Sequence, residues 1–215
     1  MKKSISLKEA VGKVKDGMTI MVGGFLANGS PETIIDALAE SGVKDLTLIC
    51  NDTAFPDKGV GKLLMNGQLK KAIVSYIGAT PKASEMMHNG EIEIEFVPQG
   101  TLAERVRAGG AGLGGILTPT GVGTIVAEGK QVINVDGKGY LLEMPLKADV
   151  ALIGASKADK EGNLVYKGTS RNFNPLMASA ADLVIVEPKE IVETGEIEAE
   201  NVHTPAIFVD YILEK

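Results

Sequence analysis

Short apolar runs alternate with amphipathic stretches of helical period along the first hundred residues, and this rhythm most constrains what the chain can fold into. Runs at 18–22, 46–50, 72–77 and 92–97 have strand length, and the stretches between them, at 31–41, 61–66, 82–89 and 101–108, have helical spacing. The 31–41 stretch shows it best. Ser30 and Pro31 make a helix start, Ile34, Ile35 and Leu38 share one face, and Gly42 stops it. Ser6 and Glu9 form a capping box that opens a first helix ending near Lys15, and Thr101 and Glu104 repeat the pattern further on. Strands alternating with helices predict an α/β fold, an open and mostly parallel β-sheet flanked by helices. Beyond residue 110 the rhythm changes. Segments 132–135 and 140–143 flank Asp136-Gly137-Lys138-Gly139, which predicts a small β-hairpin insertion, and strands at 149–153, 183–187 and 206–209 return to the central type. No linker or repeat divides the chain, so a single domain over 1–215 is expected.

Composition narrows the function. With 215 residues, 44% of them hydrophobic, the chain can bury a core without a disulfide or metal. Its net charge of −6 and lack of a basic stripe remove the electrostatic footprint of a nucleic-acid binder. Cys50 is the sole cysteine, and His88 and His203 have no ligand-like spacing to it, so no metal site and a reduced, cytoplasmic setting are expected. The longest apolar stretch, 20–27, contains two glycines and falls far short of the roughly 20 residues needed to span a bilayer. The charged segment after Lys2-Lys3 is not that of a signal peptide.

Glycine is in excess, 26 of 215 residues against about 7% on average, and it clusters at turns. The cluster at 23–29 lies between a buried strand and a helix start. There a glycine-rich turn would leave backbone amides free, where the helix dipole favours an anion or a developing oxyanion. A tight turn without a ligand is the plain alternative. The run Gly110-Ala111-Gly112-Leu113-Gly114-Gly115 spells G-x-G-x-x-G but follows a helix rather than a strand, so it is no dinucleotide fingerprint. Neither a phosphate-binding P-loop nor a nucleophilic serine elbow is present, and Cys50 at a strand end reads as a small buried hydrophobe. Three polar groups remain at element ends: Asn51-Asp52-Thr53, Pro98-Gln99-Gly100-Thr101 and Arg171-Asn172-Phe173-Asn174-Pro175. The first two follow strands, where open α/β sheets bind ligands, although capping or turn formation also suits Asn51-Asp52 and Asn174-Pro175. Gln99, an uncharged amide beside a Pro-Gly kink, is a usable oxyanion donor. Arg105 and Arg107 read by default as a solvated helix face.

Asp16-Gly17 followed by an apolar run, Gly23-Gly24-Phe25, Gly29 and Pro31 resembles the signature of family I coenzyme A transferases in their α-subunit. The likeness extends through Asn51-Asp52-Thr53-Ala54, the segment from Pro98 to Arg105, Arg107-Ala108-Gly109-Gly110-Ala111-Gly112 and Arg171-Asn172-Phe173-Asn174-Pro175, and so covers essentially the whole chain. It is nearest to the acetate or butyrate:acetoacetate type and also fits the N-terminal half of single-chain 3-oxoacid enzymes. The resemblance implies ping-pong transfer of CoA from a short-chain acyl-CoA to a free carboxylate, through an acyl-glutamyl anhydride and a glutamyl-CoA thioester. It places the nucleophilic glutamate on a β-subunit in a Ser-Glu-Asn-Gly or Gly-Glu-Asn-Gly context. This chain has neither tetrapeptide. By carry-over, Gly23, Gly24, Phe25, Leu26, Ala27, Asn28 and Gly29 line the CoA-binding loop, Gln99 is the catalytic oxyanion donor, and Asn51 positions substrate. No permanently bound cofactor is implied, with CoA as substrate only. The implied partner is the β-subunit in an α2β2 assembly, with no nucleic acid and no membrane. Two other readings remain: a noncatalytic acyl-CoA or phosphometabolite sensor using the same loop, and a self-sufficient enzyme such as a sugar-phosphate isomerase. No appended DNA-binding segment favours the first, and no carboxylate base between Gly23 and Ser30 favours the second.

Overall fold

The computed structural model describes residues 4–214. Its centre is a parallel sheet whose strands, in spatial order, are β1 (Ser4–Ile5), β12 (Tyr211–Leu213), β11 (Ala181–Val192), β9 (Ala148–Asp159), β2 (Thr19–Val22), β3 (Leu46–Ile49), β4 (Leu69–Val74) and β5 (Glu93–Phe96). A short β10 (Leu164–Val165) pairs antiparallel with β9. The chain builds outward from β2 through β3, β4 and β5, then returns to the other side of β2 with β9 and continues through β11 and β12. The sheet order therefore reverses between β2 and β9. In sheets of this kind ligands bind at such a reversal, beyond the carboxyl ends of the strands.

Helices α1 (Leu7–Val11), α2 (Glu32–Glu40), α3 (Gly61–Met65) and α4 (Pro81–His88) lie in the connections of the first half. Their apolar faces pack with Ile20, Val22 and Leu48 in one core, where Ile34, Ile35 and Leu38 of α2 are fully buried. The opposite face of the sheet, with Met21, Ile49, Ile73 and Ile153, forms a second core with α5 (Gln99–Gly110) and α6 (Asn174–Ser179). Burial on both faces is why the central strands are apolar runs without alternation. Each such side chain contributes about 1.5–3 kcal/mol.

The expected insertion is a three-stranded antiparallel sheet in the order β6 (Ile116–Thr118), β8 (Lys138–Glu143), β7 (Val132–Val135). Its hairpin turn is two residues, Asp136 at φ 50° and Gly137 at φ 77°, so β8 begins at Lys138 rather than at 140. Both angles are those of the type I′ turn that matches strand twist. Arg105 ties this sheet to the main one. Only 8% exposed, it donates to Glu95 Oε1 at 2.9 Å and to the Met144 carbonyl at 2.8 Å, while the buried Glu143 accepts from Lys130 at 2.6 Å. It is not the solvated charge its helix position suggested. Arg107 is, paired to Glu104 at 2.8 Å.

Three further expectations shift. The capping box at Ser6 and Glu9 forms, but α1 ends at Val11 rather than near Lys15. The one at Thr101 and Glu104 does not, because α5 starts at Gln99 with Pro98 in the cap position, which puts Thr101 inside the helix. Residues Ala206–Phe208 form a single 3-10 turn after Pro205, with Ile207 86% exposed, and the strand beside β11 is β12 instead.

Candidate functional site

The loop at 23–29 leaves β2 at the point where sheet order reverses. Phe25 and Asn28 close it by reciprocal backbone bonds, Phe25 N to Asn28 O at 3.1 Å and Asn28 N to Phe25 O at 2.9 Å. The two residues between, Leu26 at φ 46° and Ala27 at φ 65°, are left-handed. For residues with a Cβ this costs about 1–3 kcal/mol each, and such strain tends to sit where function needs it.

Side chains from distant segments hold the loop in place. Asn172 accepts from Gly24 N at 3.1 Å and donates to Asn28 O at 3.0 Å. Asn174, 0% exposed, donates to Gly29 O at 3.1 Å and accepts from Gly154 N at 3.1 Å. A Cβ on Gly23 would overlap Asn174 Oδ1, one on Gly24 would overlap Ser30 Oγ, and one on Gly29 would come within 2.6 Å of Ser170 O. The glycines thus admit neighbours from this same chain.

The expectation of several free amides is corrected accordingly. Gly23, Gly24, Phe25, Leu26, Asn28 and Ser30 all donate within the chain, to Leu152 O, Asn172 Oδ1, Asn28 O, Asp52 Oδ2, Phe25 O and Ala27 O. Among the described residues only the Ala27 and Gly29 amides of this loop lack an acceptor. Ser30 does not cap α2 either. Glu187 of β11 accepts from Thr33 N at 3.2 Å and from Ile34 N at 3.0 Å, capping that helix from across the sheet. Beside it a cavity of about 260 Å³, lined in part by Thr33, Ser156 and Glu187, opens on the far side of Gly29.

A cavity of about 450 Å³ lies at the carboxyl ends of β2, β3 and β4, lined by Phe25, Leu26, Asn51, Asp52, Ser75, Tyr76 and Gln99. It unites residues from three of the segments singled out in the sequence. Gln99, the first residue of α5, donates from Nε2 to Asn51 Oδ1 at 2.8 Å across 48 residues of chain. Asn51 donates to Asp52 Oδ2 at 2.6 Å, and the same oxygen accepts from Leu26 N at 3.0 Å. Asp52 Oδ1 accepts from Ala54 N at 2.7 Å, and Ser75 Oγ donates to Asn51 O at 2.7 Å. One relay of hydrogen bonds therefore fixes the amide of Gln99 relative to the glycine loop. An amide held this way at a helix start is preorganised to meet a developing oxyanion, which no solvent dipole is.

Asp52 anchors the relay, a role its turn-forming residue type conceals; Ser75 and Tyr76 carry no sequence signal of their own, and Asn172 and Asn174 stand out only within a polar, turn-like segment. Asp52 is buried and accepts three hydrogen bonds, so it is committed as an acceptor. Burial, and then the Asp52 carboxylate, push the Cys50 thiol up to about 12, which keeps it protonated at neutral pH and out of nucleophilic chemistry. Among the described residues no group of three His, Cys, Asp or Glu could hold a metal ion, and no helix is long and apolar enough to cross a membrane.

Residues 4–215 match the family model described as coenzyme A transferase. This chain belongs to the coenzyme A transferase family. It is 56% identical over 211 residues to the acetate CoA-transferase subunit alpha of Escherichia coli, covering 98% of this chain and 96% of that one. It is 53% identical to the acetoacetyl-CoA:acetate/butyrate CoA transferase alpha subunit of Clostridium acetobutylicum, covering 94% and 92%. Solved coenzyme A transferases share its fold. An acyl-CoA transferase of Escherichia coli, in a thioester complex with CoA, superposes with a TM-score of 0.86 at 23% identity over 99% of this chain and 47% of that one. Glutaconate coenzyme A-transferase of Acidaminococcus fermentans gives a TM-score of 0.86 at 21% identity over 98% and 75%. The chain thus spans about half the length of the first of these two structures.

Proposed function

We propose that this chain is the α-subunit of a short-chain acyl-CoA:carboxylate CoA-transferase of the acetate/butyrate–acetoacetate type, which works with a β-subunit in an α2β2 assembly in the cytoplasm. The observation that carries this is the cavity itself. It holds a preorganised amide pair, Gln99 on Asn51, and its single carboxylate, Asp52, is used as an anchor. A site equipped to stabilise an oxyanion but lacking a free carboxylate takes its nucleophile from elsewhere. The names of the relatives at 56% and 53% identity, both alpha subunits, support the same division.

In this mechanism a glutamate of the β-subunit attacks the thioester carbonyl of the acyl-CoA. The carbonyl oxygen takes up the electron pair, and Gln99 donates to it. The C–S bond then breaks, leaving an acyl-glutamyl anhydride and CoA thiolate. The thiolate attacks the glutamyl carbonyl, the acyl group departs as a free carboxylate, and the resulting glutamyl-CoA thioester passes CoA to the acceptor by the reverse sequence. Asn51 orients Gln99 and the substrate carbonyl. Residues 23–29 form the wall against which CoA lies, through the apolar side chains of Phe25 and Leu26 and the free amides of Ala27 and Gly29. CoA enters as substrate and no group is bound permanently. The chain serves as one domain over 1–215, and the Arg105, Glu95 and Glu143 contacts that tie the small sheet to the large one support this. A noncatalytic sensor would need the amide pair only for binding, and nothing in the site favours that reading.

The test is CoA transfer from acetyl-CoA to acetoacetate and to butyrate by this chain alone and by the chain co-expressed with its β-subunit. Activity confined to the complex is expected, and full activity of the chain alone would place the nucleophile here and overturn the reading. In the complex, Gln99→Ala should lower kcat by about a hundredfold or more, the usual cost of removing one oxyanion donor, with a much smaller change in CoA affinity.

A further inference from the structure

Every polar side chain lining the 450 Å³ cavity is hydrogen-bonded within the chain except one. Ser75 donates to Asn51 O, Asn51 to Asp52, and Gln99 to Asn51. The hydroxyl of Tyr76 donates to no atom of the described residues. Tyr76 is 50% exposed although it lies one residue beyond the partner of Asn51 on the β4 side, and its backbone is pinned there by Thr53 N donating to Tyr76 O at 3.2 Å. The hydroxyl end of its ring rests on Gly78, where an added Cβ would stand 2.5 Å from Tyr76 Oη and 2.7 Å from Cζ. Glycine at 78 therefore leaves the space that the hydroxyl end of the ring occupies. The rest of the wall is apolar, Phe25 and Leu26, and none of the lining residues is cationic. A distal carboxylate would find no positive charge there and the buried Asp52 carboxylate nearby, whereas a neutral carbonyl beyond the reacting carbon would find one unused donor.

We propose that Tyr76 is a specificity residue whose hydroxyl donates a hydrogen bond to the 3-oxo group of a β-keto acyl substrate, and so favours acetoacetyl over butyryl groups in the same cavity. This rests on the CoA-transferase reading of the cavity. With Gln99 and Asn51 holding the reacting carbonyl, a second carbonyl two carbons further along is the feature that separates acetoacetyl from butyryl. A site with a hydrogen-bond donor placed for such a group discriminates through the donor that the analogue leaves unpaired. Tyr76 takes no proton and forms no covalent bond in this role.

The test uses the αβ complex and compares kcat/KM for acetoacetate with kcat/KM for butyrate, each accepting CoA from acetyl-CoA. Tyr76→Phe keeps the ring and removes a hydroxyl with no partner among the described residues, so the fold is preserved. The acetoacetate-to-butyrate ratio should fall about five- to tenfold, the value of one neutral hydrogen bond. Gly78→Ala keeps the hydroxyl but displaces the ring, and should lower the same ratio. An unchanged ratio in Tyr76→Phe overturns the proposal while leaving the transferase reading intact. Transfer to neither acid by the wild-type complex overturns both.

Discussion

The loops that follow β2 and β3 are two versions of one device. Phe25 and Phe55, thirty positions apart, each begin a two-residue turn closed by a backbone bond, Asn28 N to Phe25 O at 2.9 Å and Lys58 N to Phe55 O at 3.1 Å, and each is followed by a glycine with positive φ, Gly29 or Gly59. The two stack side by side, since a Cβ on Gly59 would lie 3.2 Å from Ala27 Cβ. They differ in hand and in anchorage. Leu26 and Ala27 are left-handed, whereas Pro56 and Asp57 are not. The first loop is held mainly by neutral amides from far along the chain, the half-buried Asn172 and the fully buried Asn174. The second is held by Glu32, which accepts from Gly59 N at 3.1 Å and from Lys62 Nζ at 2.9 Å. The first lines the cavity with Phe25 and Leu26 of its turn, whereas the second lines it only with Asn51 and Asp52, ahead of its turn. Thr53 and Ala54 stand in the second loop where Gly23 and Gly24 stand in the first. A turn of this kind therefore does not itself require glycine; the neighbour that fills the space does.

Gly23→Ala breaks the comparison most severely. The added methyl meets Asn174 Oδ1 in a site with no room, and moving that amide unseats Gly154 N and Gly29 O together. Overpacking with loss of buried hydrogen bonds should cost about 3 kcal/mol. Thr53→Ala at the matching place should be near neutral, because its buried Oγ1 has no hydrogen-bond partner. Urea denaturation of the two variants measures the difference, and equal losses would show that the turn, not Asn174, demands the glycine.

This also explains how much of the molecule was legible in the sequence. The strands and helices of the first half carry their own signals, apolar runs and helical periods, and those appear within a few residues of the expected limits. What failed was local pattern in competition with a neighbour. Thr101 and Glu104 spell a capping box, but Pro98 starts α5 earlier and Thr101 Oγ1 ends up buried without a partner. Ala206 to Val209 is apolar enough for a strand, yet Pro205 opens a 3-10 turn and Tyr211–Leu213 takes the place beside β11. For the site, residue type was enough to single out Gln99, Asn51 and the glycine loop. It could not show that Gln99 binds Asn51, that Asp52 joins both to Leu26, or that Asn172 and Asn174 grip a loop nearly 150 positions away. Those are long-range contacts, and no local period encodes them.

A smaller effect is expected at the turn tips. Ala27→Gly removes a Cβ from a residue at φ 65° and should stabilise the protein by about 1 kcal/mol, while Asp57→Gly, with no positive φ to relieve, should destabilise it by a few tenths through the entropy of the unfolded chain. Thermal unfolding of both variants reads the sign directly. If Ala27→Gly also raises the KM for acetyl-CoA in the αβ complex, the left-handed tip is strain kept for binding.

The smallest effect separates the two anchors by their chemistry. Lys62 bridges Glu32 and Asp36, and although burial lowers its pKa, the hydrogen bonds it donates to Asp36 and Glu32 outweigh that and leave it raised. A raised lysine pKa means that the stabilisation is complete below the unfolded value of about 10.4 and is lost as pH climbs through the folded value. The pair is also partly exposed, so salt screens it. Amide exchange at Gly59 should therefore speed up with added salt at neutral pH, after correction for intrinsic rates. Gly24, whose acceptor is the neutral amide of Asn172, should hold its protection, since neither end of that bond carries a charge to screen. Equal salt responses at the two amides would mean that Asp52, which binds both Leu26 N and Ala54 N, couples the loops so tightly that they open as one.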